Sequence, residues 1–134
     1  MKPLLASIVA LLLLGSTAVQ ADPQPMKLGL IASLTGFASP YGTAVREGAE
    51  LAVSELRSAG VRVDLSVEDD QSDPTKVVTS YRYLQDVKQI QALIGGSWWV
   101  RSLVKITEQS SLPFLSCETL YDQDFVAGKS YFIL

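Results

Sequence analysis

Short apolar runs recur along this chain, and each leads through a small-residue turn into a stretch with helical spacing. MKLGLIAS (26–33) reads as a buried strand and gives way to SLTGFASPYG, a loop rich in Gly, Ser and Pro. Residues 41–60 then place Val45, Gly48, Ala52 and Leu56 three and four apart, with Arg46, Glu47, Glu50 and Arg57 outside the stripe. That spacing predicts an amphipathic helix, ended by Gly60. VRVDLSVED (61–69) alternates Val61, Val63, Leu65 and Val67, the period of a strand. In DDQSDPTK, Asp73 is placed to cap a helix whose first residue is Pro74. Val77, Tyr81 and Leu84 line one face of it as far as Val87. IQALIGG (90–96) is a third strand, SWWVRSLVKITEQ (97–109) a third helix, and LPFLSC (112–117) a fourth strand. Strict alternation of this kind predicts an α/β fold, a three-layer open parallel sheet with helices on both faces, joined by right-handed crossovers. The final run, SYFIL (130–134), breaks off without a polar tail or cap, so the chain is expected to be the amino-terminal piece of something longer.

The first 21 residues stand apart. Lys2 supplies a positive start, Leu4–Leu14 is almost wholly apolar, and Val19-Gln20-Ala21 suits a cleavage site. This is the pattern of a secretory signal peptide cut after Ala21; the apolar run is short for a membrane span. Residues 22–134 would then form the mature chain, outside the cytoplasm. Without Lys2, ten of the eleven basic side chains remain against fourteen acidic ones, with no basic patch. Nucleic acid is therefore a poor partner. Cys117, the single cysteine, has no partner within the chain, so stability must come from packing.

Much chemistry is excluded by what is missing. The chain has no histidine, hence no imidazole to activate Ser97 or Cys117 as a nucleophile. The loop after the first strand lacks the GxGxxG of dinucleotide sites, and there is no phosphate-binding loop. Ser102-Leu103-Val104-Lys105 matches the SxxK of lysine-assisted serine chemistry, but the motif is short and lies inside a helical stripe. Asp69, Asp70 and Asp73 form the one acidic cluster, without the spaced ligands of a calcium loop. Asp73 reads as the helix cap and the other two as the solvent-exposed end of a strand. No metal and no cofactor is expected.

In open parallel sheets solutes bind beyond the carboxyl ends of the strands. Three loops there carry suitable groups: 33–41, 95–99 and 116–119. Ser33, Thr35, Ser97 and Thr119 offer hydroxyls, Gly95 and Gly96 bare the backbone, and helix starts offer free N–H groups.

The series KLGLIASLTGFASPYG, REGAELAVSEL, VEDDQSDPTK, ALIGG and LPFLS, behind a signal peptide, resembles the branched-chain amino-acid type of periplasmic solute-binding protein that serves ABC transporters. The resemblance covers the whole mature chain. It implies a type I periplasmic binding fold, Rossmann-like, of which residues 22–134 would be most of the amino-terminal lobe, with the second lobe absent. It also implies a reversible small-molecule ligand and a membrane permease as partner. Tyr41 matches a tyrosine that lies beside the ligand in relatives. Ser97-Trp98-Trp99 stands where relatives have small hydroxyl residues that bind the ligand carboxylate. Cys117-Glu118-Thr119 stands where relatives have a small-residue run ending in threonine. The tryptophans and Glu118 depart from that pattern. A carboxylate at Glu118 facing the cleft suits an amine, an amide or urea-like N–H donors; facing solvent, it has no such role.

Helical spacing aligns Trp99 with Leu103 and Ile106, a core position, and Trp98 with Arg101, Lys105 and Glu108, the polar side. Three readings account for an indole there: it walls the cleft, it packs on the missing lobe, or it covers the first loop around Phe37. The function expected is capture of a small polar organic solute for import. The competing classes are a receptor's sensor domain and, within an enzyme, a fragment of an α/β hydrolase.

Overall fold

A computed structural model describes residues 24–99, 101–107, 109–117 and 131–133. The predicted signal peptide, Glu118 and Thr119 lie outside them. Five parallel strands are described: β1 (Met26–Ala32), β2 (Val63–Asp69), β3 (Ala92–Gly96), β4 (Phe114–Ser116) and β5 (Tyr131–Ile133). Three helices alternate with the first four: α1 (Ser39–Ser58), α2 (Pro74–Arg82) and α3 (Arg101–Thr107). The sheet order is β2-β1-β3-β4-β5.

That order fixes the layers. The chain steps from β1 to β2 in one direction, and from β2 past β1 to β3 in the other. With right-handed crossovers the two connections must lie on opposite faces. Strand parity agrees. Ile31, Leu93 and Phe114 point into one cluster with Val77, Tyr81 and Leu84 of the α2 segment and Leu103 of α3. Ile94, Leu115 and Cys117 face Val45, Ala49 and Ala52 of α1. Ile31, Val77, Leu84, Leu93 and Leu103 are wholly shielded from water, and each contributes on the order of 1.5–3 kcal/mol by leaving it.

Local chemistry sets the ends of the elements. Gly60 adopts φ 85°, and the chain closes α1 with two bonds: Gly60 N–H to the Arg57 carbonyl and Val61 N–H to the Leu56 carbonyl. This is a glycine-dependent helix stop of the expected kind. Arg57 then donates twice, at 2.9 and 2.6 Å, to the Val63 carbonyl and so ties the helix end to the start of β2. Asp73 accepts from the Thr75 N–H at 2.8 Å and Pro74 opens α2, as the sequence predicts.

Two helices begin elsewhere than expected. α1 starts at Ser39, so that Pro40 sits in its first turn, where a missing N–H is harmless. α3 starts only at Arg101, because Ser97–Trp99 form a turn instead. After Arg82 the α2 helix widens into a π-helical turn, Tyr83–Lys88, closed by Gln89 at φ 54°. Leu84 stays buried, but the widened turn carries Val87 out to 64% exposure.

Candidate functional site

The strand order reverses between β1 and β3, so the loops leaving their carboxyl ends diverge to opposite faces. A crevice opens there in any sheet of this type. Three loops meet at this end of the sheet: 33–38 after β1, 70–73 after β2 and 97–99 after β3.

Asp69 organises the first two. Ala32 and Asp69 are partners in the β1–β2 register, so the carboxylate stands beside the first loop. It accepts from Leu34 N–H (2.9 Å), Thr35 N–H (3.1 Å), the Thr35 hydroxyl (2.7 Å) and Gln71 N–H (2.8 Å). Partial burial pushes this carboxyl upward. The four donors, led by the Thr35 hydroxyl, outweigh that and hold it below the usual carboxylate range. Asp70 is fully buried, with one oxygen accepting from Ser72 N–H at 2.8 Å and the other without a partner. Both aspartates were expected to end a strand in solvent. Asp69 turns toward the first loop, whose donors a single sequence does not reveal, and Asp70 folds back onto the Ser72 N–H of its own turn. Among the described residues no group of His, Cys, Asp and Glu is arranged to hold a metal.

Ser72 joins all three loops. At φ 59° it directs its hydroxyl to donate to the Thr35 carbonyl (2.8 Å) and accept from Ala38 N–H (3.2 Å). Its own carbonyl accepts the Trp99 indole N–H at 2.9 Å. Gly36, at φ 83°, passes so close that a Cβ would lie 2.7 Å from Ser72 Oγ. The fourth strand is tied in by Tyr41, whose hydroxyl donates to the Cys117 carbonyl at 2.6 Å, and by Cys117 N–H to the Gly95 carbonyl at 3.0 Å.

The predicted residues that are described stand in distinct surroundings, while Glu118 and Thr119 lie outside the described residues. Ser33 is shielded, with no partner for its hydroxyl. Thr35 commits its hydroxyl proton to Asp69. Ser97 is shielded and its oxygen accepts from Trp99 N–H at 2.9 Å. Trp99 is partly buried against the core with Ile106, as the spacing predicts, although a turn and the bond to Ser72 place it there rather than a helix. Trp98 is 54% exposed and meets Phe37, 66% exposed, edge to face: ring centres 6.0 Å apart, planes at 78°. Of the three readings of Trp98, the contact with Phe37 is present.

Sequence reasoning missed Asp69 and Ser72. Their roles depend on which strand lies beside which, and on positive φ at Gln71 and Ser72, where no glycine announces it. Behind the rim, Val45, Ala49 and Ala52 of α1 and Ile94, Leu115 and Cys117 border an apolar groove of ≈ 300 Å³. A larger hollow, ≈ 490 Å³, lies at the opposite ends of the strands beside Pro25, Arg57 and Asp64, away from these loops.

Residues 25–133 match a family described as periplasmic binding protein. Among solved structures, the chain is similar to the branched-chain amino acid transporter substrate binding protein LivJ of Streptococcus pneumoniae in complex with isoleucine. They share 23% identity at a TM-score of 0.73, over 82% of this chain and 33% of that one. It is also similar to the leucine binding protein LivK of Thermotoga maritima, at 22% identity and TM-score 0.70, over 81% and 32%. An R. palustris solute binding protein in complex with benzoate shares 26% identity at TM-score 0.64, over 71% and 28%. The chain thus spans about a third of the length of the structures it matches. No curated protein matches it.

Proposed function

From a chain that belongs to the periplasmic binding protein family, we propose an extracytoplasmic solute-binding protein, of which residues 22–134 form the amino-terminal lobe. It captures a small polar organic molecule, such as an amino acid, an amide or an aromatic acid, and delivers it to the permease of an ABC importer. It does no covalent chemistry. The observation that carries this reading is the braced rim at the strand-order reversal, where Asp69 and Ser72 lock three loops together. The family and the ligands of its solved neighbours, isoleucine and benzoate, support the same class.

The solute rests on Tyr41, Trp98 and Trp99, with Ser33, Thr35 and Ser97 forming the base of the crevice beneath them. Cys117, Glu118 and Thr119 complete the side toward β4. A second lobe closes over the solute and removes it from water, as two-lobed binders do. Signal-peptide cleavage after Ala21 releases the protein outside the cytoplasm.

Titration calorimetry of the full-length secreted protein against amino acids, amides and aromatic acids tests this. One solute binds at one site with micromolar or tighter affinity, about −8 kcal/mol. Failure of the entire panel to bind, or a co-crystal with the solute far from Tyr41 and Trp98, refutes it.

A further inference from the structure

Phe37 and Trp98 present more apolar surface to water than a polar rim requires, and they do so together. Their planes stand nearly at right angles, at 78°, with centres 6.0 Å apart. Two plates at that angle bound a corner. A third ring entering it stacks on one wall and meets the other with its edge, the two arrangements that aromatic quadrupoles favour. A saturated group of the same size buries similar area in the corner but has no such preference.

We propose that Phe37 and Trp98 select solutes that carry a flat unsaturated ring. The proposal rests on the solute-binding reading of this rim and assigns its ligand class.

The bracing of the two residues supports selection rather than packing. Phe37 lies between Gly36, held against Ser72, and Ala38, which is buried and donates its N–H to Ser72 Oγ at 3.2 Å. Trp98 lies between Ser97, whose oxygen accepts from Trp99 N–H, and Trp99, whose indole N–H is bonded to the Ser72 carbonyl. Both flanks of each ring are fixed, while the ring itself is left out. The walls are thus positioned before any solute arrives, which lowers the ordering cost of binding. The two walls come from loops of different strands, and the same residue, Ser72, holds both loops.

The test is calorimetric titration of the full-length protein with benzoate, cyclohexanecarboxylate and isoleucine. The first two share a carboxylate and a six-membered ring and differ in flatness. Benzoate binds more tightly than cyclohexanecarboxylate by about five- to tenfold. Trp98→Leu, which keeps apolar bulk but removes the ring, abolishes that preference, and Phe37→Leu reduces it. Thermal melts of both variants stay close to the parent, since neither ring is buried. Equal affinity for the two ring acids, or a preference that survives Trp98→Leu, overturns the proposal. Binding of isoleucine without benzoate overturns it as well, while leaving the solute-binding reading intact. If no member of the wider panel of amino acids, amides and aromatic acids binds, both fall.

Discussion

Replacing Asp69 by alanine removes the acceptor shared by Leu34, Thr35 and Gln71. Hydrogen bonds to a charged group contribute roughly 1.5–3 kcal/mol each where water is excluded. Four such bonds do not sum to that extent here, because Thr35 and Gln71 are exposed and their donors recover water when the carboxylate goes. Leu34 N–H is part-buried and recovers least. The expected loss is therefore about 2–4 kcal/mol, the cost of one strong bond and several discounted ones. Asp69→Asn keeps one acceptor oxygen and loses less, about 1–2 kcal/mol. Urea denaturation of parent and variants at several pH values measures both. The pH dependence carries a sign. Asp69 titrates lower in the folded protein than in the unfolded chain, so its contribution is fully present above the unfolded carboxylate range near 3.8. It is lost as pH falls through the lower folded value. The gap between parent and Asp69→Ala is constant from neutral pH down to about 5 and narrows below about 4. A gap that persists undiminished in acid, or one under about 0.5 kcal/mol at neutral pH, refutes the assignment of Asp69 as the organiser of the rim.

Two glycines of α1 respond oppositely to alanine. A Cβ on Gly42 lies 2.2 Å from the Ser33 carbonyl oxygen, so Gly42→Ala destabilises by about 1–3 kcal/mol; Gly48 has nothing within 4 Å, and Gly48→Ala stabilises by about 0.5–1 kcal/mol. Equal effects in thermal melts would show that α1 does not press on the first loop. Leu84→Ala empties a fully buried site and costs about 2–5 kcal/mol in urea denaturation; a loss under 1 kcal/mol contradicts its place in the core. Tyr41→Phe removes the 2.6 Å bond to the Cys117 carbonyl and costs about 1 kcal/mol, with faster amide exchange around residue 117 as the local readout.

The layered fold was legible because its signals are local. Val63, Leu65 and Val67 alternate, Val77, Tyr81 and Leu84 recur at helical spacing, and Gly60 and the pair Asp73-Pro74 mark where elements stop and start. Each is decided within a few residues. The meeting of the loops was legible; the bracing that joins them was not. That the loops after β1 and β3 share a rim follows from strand alternation and right-handed crossovers. That Asp69 meets the first loop follows only from the pairing of β2 with β1, across 34 and 35 residues of sequence. Gln71 and Ser72 take positive φ with side chains that do not favour it, so composition gave no warning. The turn at Ser97–Trp99 was read as helix because the two tryptophans fit a helical pattern. Ser97 instead bonds back to Trp99 N–H and defers the helix to Arg101.

Ser72 bonds to both loops that bear exposed rings, yet touches neither ring through any bond described above. The residue that braces the loops and the rings they expose are thereby encoded by different codons. Under the proposed ring selection, mutation at 37 or 98 alters solute preference without loosening the loops that Ser72 holds.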